Sequence, residues 1–175
     1  EYERIFKSAT TYSIKDIFGS DSIHTLTLGG GALTFPSYLE RHYPNGTHEV
    51  VEIDPEVVRI AFTYFDISED TEIRIHVQDA RQYVQNVRGS QAYDTVYLDV
   101  FNSYSIPYHL TTREFTETIR SLLKPNGILL VNLIDIFSIG KFLGAYTATI
   151  EEVFPYYTVY ASPDFRETNR STFVL

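Results

Sequence analysis

The sequence predicts a three-layer α/β fold: a mostly parallel, seven-stranded sheet with an antiparallel last strand and helices on both faces. Three observations predict it. Short β-forming runs alternate with stretches of helical period along the chain. Glycine or acidic residues close successive strand-like runs, where open α/β sheets bind their ligands. The last two strand-like runs are joined by only 162–170, too short for a parallel crossover, so they run antiparallel.

The elements follow in order. The residues before Ser20 place Ile5, Phe6, Ala9, Ile14, Ile17 and Phe18 as apolar positions of a helix packed on the sheet, with an irregular phase. Ile23–Leu28 is the first strand. Thr34–Tyr43 is a helix with Pro36 in its first turn. His48–Ile53 is the second strand. Pro55 opens a helix through Phe65, with Val57, Val58, Ala61, Phe62 and Phe65 on one face. Ile73–Val77 is the third strand, and a helix runs from about Asp79 to Val87. Asp94–Asp99 is the fourth strand, followed by a loop from Val100 to Leu110. Thr111 and Glu114 form a T-x-x-E capping box for a helix through Leu123. Lys124-Pro125-Asn126-Gly127 is a turn, and Gly127–Leu133 is the most apolar strand. A helix from about Phe137 to Val153 and the strands Tyr156–Ala161 and Ser171–Leu175 complete the chain.

Composition narrows the function classes. At 175 residues the default is a single domain, with a core large enough to need no covalent or metal staple. There are no cysteines, which excludes disulfides, Cys-ligated zinc and thiol catalysis. The net charge of −9 argues against nucleic acid as a partner, serves solubility and mildly favours a cationic small molecule. No apolar run is long enough to span a membrane, and Glu1-Tyr2-Glu3-Arg4 is not a signal peptide, so the expected compartment is the cytoplasm. The chain contains no methionine, and long spacings are therefore read as approximate.

Chemistry concentrates at four strand ends. Gly29-Gly30-Gly31 follows the first strand and lets a ligand approach the backbone closely. The fingerprint G-x-G-x-x-G is incomplete, because Thr34 stands at the third glycine position; this disfavours a dinucleotide. Glu52, 21 positions past Gly31, is placed to accept both hydroxyls of a ribose, while Asp54 before Pro55 serves as a helix cap. Asp79 can accept from an adenine amine, with a neighbouring N–H such as that of Ala80 serving a ring nitrogen; equally, it can cap the next helix. Asp99 ends an apolar strand, and a half-buried carboxylate there calls for a partner or ligand. The loop beyond it carries Asn102, Tyr104, Tyr108 and His109 as candidate substrate contacts, the tyrosines as an aromatic wall beside an ammonium group. The five histidines show no metal-binding spacing, and no G-x-S-x-G supports a serine hydrolase.

The segments LGGGALTFPSYL, VVEIDPEVV, HVQDARQYV, YDTVYLDVFNSYSIPYHLTTREF and LLKPNGILLVNL together resemble the catalytic domain of the spermidine synthase family, the polyamine aminopropyltransferases. The resemblance covers about Ile23 to Leu175. It implies the Rossmann-like fold of the class I S-adenosylmethionine-dependent methyltransferases, decarboxylated S-adenosylmethionine as cofactor, aminopropyl transfer to an amine, methylthioadenosine as product and, by analogy alone, a homodimer. It also implies roles: Glu52 on the ribose, Asp79 on the adenine, the glycines under the sulfonium.

Three departures from the family pattern stand out. Asp99 matches the first Asp of the family's D-x-x-D pair, but Asn102 stands at the second, the general base, and an amide accepts no proton at neutral pH. Ala32 occupies the place of an Asp that contacts the aminopropyl end. The family's small N-terminal β-domain is not found in these 175 residues, which read as one catalytic-type domain. Two alternatives follow: a methyltransferase using intact S-adenosylmethionine, or a non-catalytic nucleoside-binding relative.

Overall fold

A computed structural model describes residues 2–101, 106–138, 140–161 and 171–175. Its sheet has seven strands: β1 (His24–Leu28), β2 (Thr47–Glu52), β3 (Arg74–Val77), β4 (Tyr93–Leu98), β5 (Leu123–Asp135), β6 (Tyr160–Ala161) and β7 (Ser171–Val174). The spatial order is β3-β2-β1-β4-β5-β7-β6. The first five strands pair in parallel, and β7 runs antiparallel to both β5 and β6. The order reverses between β1 and β4, which makes their carboxyl ends the topological switch point where such sheets bind ligands.

Among the described residues, six α-helices cover the faces: α1 (Tyr2–Ser13), α2 (Thr34–His42), α3 (Pro55–Tyr64), α4 (Ala80–Asn86), α5 (Arg113–Leu122) and α6 (Phe142–Val153). Side chains alternate along each strand, so neighbouring strand residues feed opposite cores. Val96 and Leu98 pack with Tyr83, Phe115, Ile119 and Tyr146 under α4, α5 and α6. Tyr97 and Leu130 pack with Phe6, Phe35 and Leu39 under α1 and α2. Val50 packs with Leu33 and Ala61 beside α3. The Tyr97 hydroxyl lies 2.6 Å from Thr10 Oγ1, tying β4 to α1 through a buried hydrogen bond.

Several boundaries differ from the sequence expectation, each for a local reason. The irregular phase before Ser20 is a π-helical turn, Ile14–Phe18, following α1; its extra residue per turn shifts the apolar face. Phe65 lies beyond α3 and is exposed, while Ala61 carries the burial. The cap of α5 is Thr112, not Thr111: Thr112 Oγ1 accepts from Phe115 N, and the Thr111 hydroxyl donates to the Tyr108 carbonyl instead. The expected turn at Lys124–Gly127 is absorbed as an irregularity at the start of β5, where the register passes from Tyr93↔Leu123 to Thr95↔Ile128 and Asn126 takes φ 67°. Helix α6 begins at Phe142 rather than near Phe137, because Asp135 accepts from the N–H groups of Ile136 and Leu143 and holds the intervening chain out of the helix. Strand β6 is cut to two residues.

The turn from β1 into α2 has strict backbone demands. Gly29 has φ 91°, and a Cβ there would overlap the Asp99 carbonyl oxygen. A Cβ on Gly30 would meet Val50 Cγ1 at 2.8 Å, whereas above Gly31, at φ 48°, nothing lies within 4 Å. Gly29→Ala is therefore expected to cost about 3 kcal/mol or more, from a steric overlap added to a strained φ, and Gly31→Ala only about 1 kcal/mol from φ alone. Urea denaturation of the two variants measures the difference; equal costs would contradict this account of the turn.

Candidate functional site

Hydrogen bonds continue the sheet one residue past its strands at the carboxyl end. Gly29 N donates to the Val51 carbonyl at 2.9 Å, Asp99 N to Leu28 at 2.8 Å, and Gln78 N to Glu52 at 3.0 Å. The pairs Leu28↔Val51, Glu52↔Val77, Leu28↔Leu98 and Leu98↔Val131 fix the registers. One residue further on, Glu52, Gly29, Asp99 and Asn132 form a single row across four strands. By alternation, Glu52 shares a face with Val50, Asp99 with Tyr97, and Asn132 with Leu130. That is the face covered by α1, α2 and α3. Gly29, between the two acids, carries no side chain, and the Asp99 carbonyl oxygen takes up the place a Cβ would fill.

Glu52 is held firmly. Its Oε2 accepts from Gly30 N at 3.0 Å and Gly31 N at 3.1 Å, and its Oε1 from Asp54 N at 3.1 Å. The carboxylate thus braces the glycine loop while Oε1 keeps acceptor capacity, since an ionised carboxylate offers about four lone-pair sites. Asp54 caps α3 through Glu56 N at 2.8 Å. Asp79 caps α4 through Gln82 N at 2.9 Å, using Oδ1. Its Oδ2 lies 3.6 Å from His109 Nε2, so capping leaves one oxygen of Asp79 facing the loop. Ala80, the first residue of α4, is buried beside it. His109 belongs to a 3-10 turn, Tyr108–Leu110, pinned by the Arg81 guanidinium, which donates to the His109 carbonyl and to Thr112 Oγ1.

Asp99 is the residue most shaped by its surroundings. Burial pushes its carboxyl up from the ordinary carboxylate range, and hydrogen bonds from Asn132 and Tyr2 oppose that rise; the charge of Glu3 adds to it. Asn132 Nδ2 donates to Asp99 Oδ1 at 2.8 Å. Burial and the Asp99 charge push the Tyr2 hydroxyl well up in turn, so it remains a donor. Tyr2 and Glu3 reach the site because Glu3 also accepts from the Thr34 hydroxyl at 3.1 Å, docking the start of α1 on the start of α2.

The structure thus brings Gly29, Gly30, Gly31, Glu52, Asp79, Ala80, Asp99 and His109 to one end of the sheet. Tyr108 is 84% exposed and touches His109 edge-on, so it does not form a wall here. Asn102 and Tyr104 lie outside the described residues. Sequence reading missed Asn132, Tyr2 and the exposed Ile53. Asn132 had a signal: it is the lone polar residue within the apolar run ILLVNL. Ile53 and Val77 are 65% and 51% exposed at the ends of β2 and β3, an apolar surface beside Glu52 and Asp79. No group of three or more His, Asp or Glu among the described residues is placed to hold a metal ion. A cavity of about 1140 Å³ opens at the opposite end of the sheet between α1, the start of β5 and residues 154–160; it includes none of these acids.

Comparison with known proteins agrees with the geometry. The family model for the spermine/spermidine synthase domain matches residues 17–168. A polyamine aminopropyltransferase from Vibrio vulnificus is 40% identical over 136 residues, 77% of this chain and 44% of that protein. The eEF1A lysine and N-terminal methyltransferase of Homo sapiens is 27% identical over 117 residues, 61% of this chain and 16% of that protein. A probable spermidine synthase from Corynebacterium glutamicum superposes with a TM-score of 0.88 at 28% identity, covering 99% of this chain and 62% of that one. The chain thus spans less than half the length of these curated relatives.

The buried Asp99 predicts a trade of stability for function. Its folded-state carboxyl holds a proton more tightly than the unfolded one, so the folded state loses stability as pH rises from the ordinary carboxylate range through the folded-state value. Asp99→Asn removes that loss: it is expected to raise Tm at about pH 8 and to give no advantage at about pH 4. Calorimetric scans at both pH values check it; a lower Tm for the variant at the higher pH would contradict the assignment.

Proposed function

The chain belongs to the spermine/spermidine synthase family, and we propose that it binds decarboxylated S-adenosylmethionine at the carboxyl ends of β1 to β4 and transfers its aminopropyl group to a small amine. The observation that carries this reading is the row Glu52, Gly29, Asp99: two acids stand on either side of a glycine whose close approach to the Asp99 carbonyl leaves no room for a Cβ. The residues present fit an adenosyl group. Nothing lies within 4 Å above Gly31. Glu52 Oε1 is available to the ribose hydroxyls, Asp79 Oδ2 to the adenine amine, and the Ala80 N–H to a ring nitrogen. Ile53 and Val77 supply apolar surface for the base.

When bound, the cofactor supplies an aminopropyl carbon activated by its sulfonium. The protein's part is to hold and neutralise the amine. Asp99 orients the ammonium form and accepts one of its protons, which leaves the neutral amine with the lone pair that attack requires. A carboxyl raised above its ordinary range by burial is a stronger base than an exposed Asp, which suits it to stand in where Asn102 cannot. Among the described residues, no Lys or Arg forms an ion pair with Glu52, Asp79 or Asp99, so the site keeps its negative charge for a cationic substrate.

Incubation with decarboxylated S-adenosylmethionine and a panel of diamines is expected to release methylthioadenosine, and Asp99→Asn to lower the rate by about 10²-fold. No methylthioadenosine from any amine, with S-adenosylhomocysteine formed from intact S-adenosylmethionine instead, would replace this reading by methyl transfer. Such an outcome would give Ala32 a role, since a site without an Asp at that place has room for the carboxylate of the intact cofactor.

A further inference from the structure

We propose that Asn132 is a positioning residue: its side-chain amide fixes the Asp99 carboxylate at the end of β4 in the orientation that meets a substrate ammonium. This rests on the reading of Asp99 given above and names the residue on which that acid depends.

Asn132 is 3% exposed and sits on β5, one residue past the pair Leu98↔Val131, which makes it the cross-strand neighbour of Asp99. Its neighbours along the strand are Val131 and Leu133, both fully buried. Burying an amide in an apolar strand destabilises the fold for each atom left without a partner. Asn132 bears that cost on one side. Its Oδ1 is buried and has no hydrogen-bond partner, while its Nδ2 donates to Asp99 at 2.8 Å. A leucine would fill this strand position without the penalty. The half-satisfied amide is therefore explained by what its donor half does. The orientation is also determined, because an amide oxygen turned toward a carboxylate would be repelled, so Nδ2 must face Asp99.

Among the described residues, three groups act on Asp99. Tyr2 donates to it from α1, Glu3 repels it from the same helix, and Asn132 donates from β5. Of the two donors, Tyr2 stands at the start of a helix, whereas Asn132 is fixed in the middle of the sheet. A donor to the carboxylate favours its charged form. Removing it leaves burial and Glu3 acting with one opponent fewer, and the carboxyl then protonates at a higher pH. The transfer reaction needs the carboxylate, so its acid limb must move the same way.

The test pairs two measurements on the full chain. The first is the Asp99 side-chain carbon resonance, assigned by its loss in Asp99→Asn and followed by NMR against pH. The second is methylthioadenosine release against pH. In Asn132→Leu the resonance midpoint is expected to rise by about one pH unit, and the acid limb of kcat/KM with it, a loss of about tenfold on the acid side. Asn132→Gln, which keeps a donor, is expected to recover part of both shifts. An unchanged resonance midpoint in Asn132→Leu overturns the proposal, as does a midpoint that moves while the acid limb stays. If wild-type chain releases no methylthioadenosine, the function assigned above fails, and the resonance alone decides whether Asn132 holds Asp99. If Asn132→Leu does not fold, the Gln variant decides: a midpoint displaced further from wild type than that of a Leu133→Ile control supports the proposal, and equal displacement overturns it.

Discussion

Parallel strand register is the constraint on which the site depends. Glu52, Gly29, Asp99 and Asn132 come from four segments separated by whole helices, yet they stand side by side because β1, β2, β4 and β5 pair in register up to their ends. A shift of one residue on β4 would turn Asp99 to the opposite face, under α4 and α5, and put a neighbour in its place. The glycine at the centre of the row is a consequence of the same register. Gly29 passes so close to the Asp99 carbonyl that any side chain would force β1 and β4 apart. The missing side chain beside Glu52 and the closeness of the strand ends are one feature.

Charge gives the row its chemical character. Three acids converge on one end of the sheet, and the described partners of Glu52 and Asp79 are chiefly backbone N–H groups, which orient a carboxylate without neutralising it. Among the described residues, the donors to Asp99 are the neutral groups of Asn132 and Tyr2, set against burial and the nearby Glu3. Such an arrangement is unfavourable for the folded protein alone and favourable once a cation arrives. The opposite end of the sheet carries a cavity of about 1140 Å³, but that cavity lacks this convergence of acids, which is why volume alone does not identify the site.

Much of this was legible in the sequence, because strand ends in α/β folds are marked by residue type. The triple glycine, Glu52 and Asp79 each follow a β-forming run directly, and the structure places all three at the carboxyl end of the parallel strands. Asp54 reads as a cap because Pro55 follows it, and it is one. What escaped depends on tertiary contacts. Asn132 looks like a polar interruption until β4 is laid beside β5. Tyr2 reaches Asp99 only because α1 is docked on α2 through Glu3 and Thr34. The late start of α6 turns on Asp135 gathering the N–H groups of Ile136 and Leu143, which no local period encodes.

The account stands on one claim: that the carboxyl ends of β1, β2 and β3 hold an adenosyl group and no dinucleotide. Thermal-shift titration with methylthioadenosine and, separately, NAD tests it without any assumption about the acceptor. The account predicts a concentration-dependent rise in Tm with methylthioadenosine, abolished by Glu52→Ala, and no rise with NAD. A rise with NAD alone, or a methylthioadenosine effect that survives loss of Glu52, would contradict it.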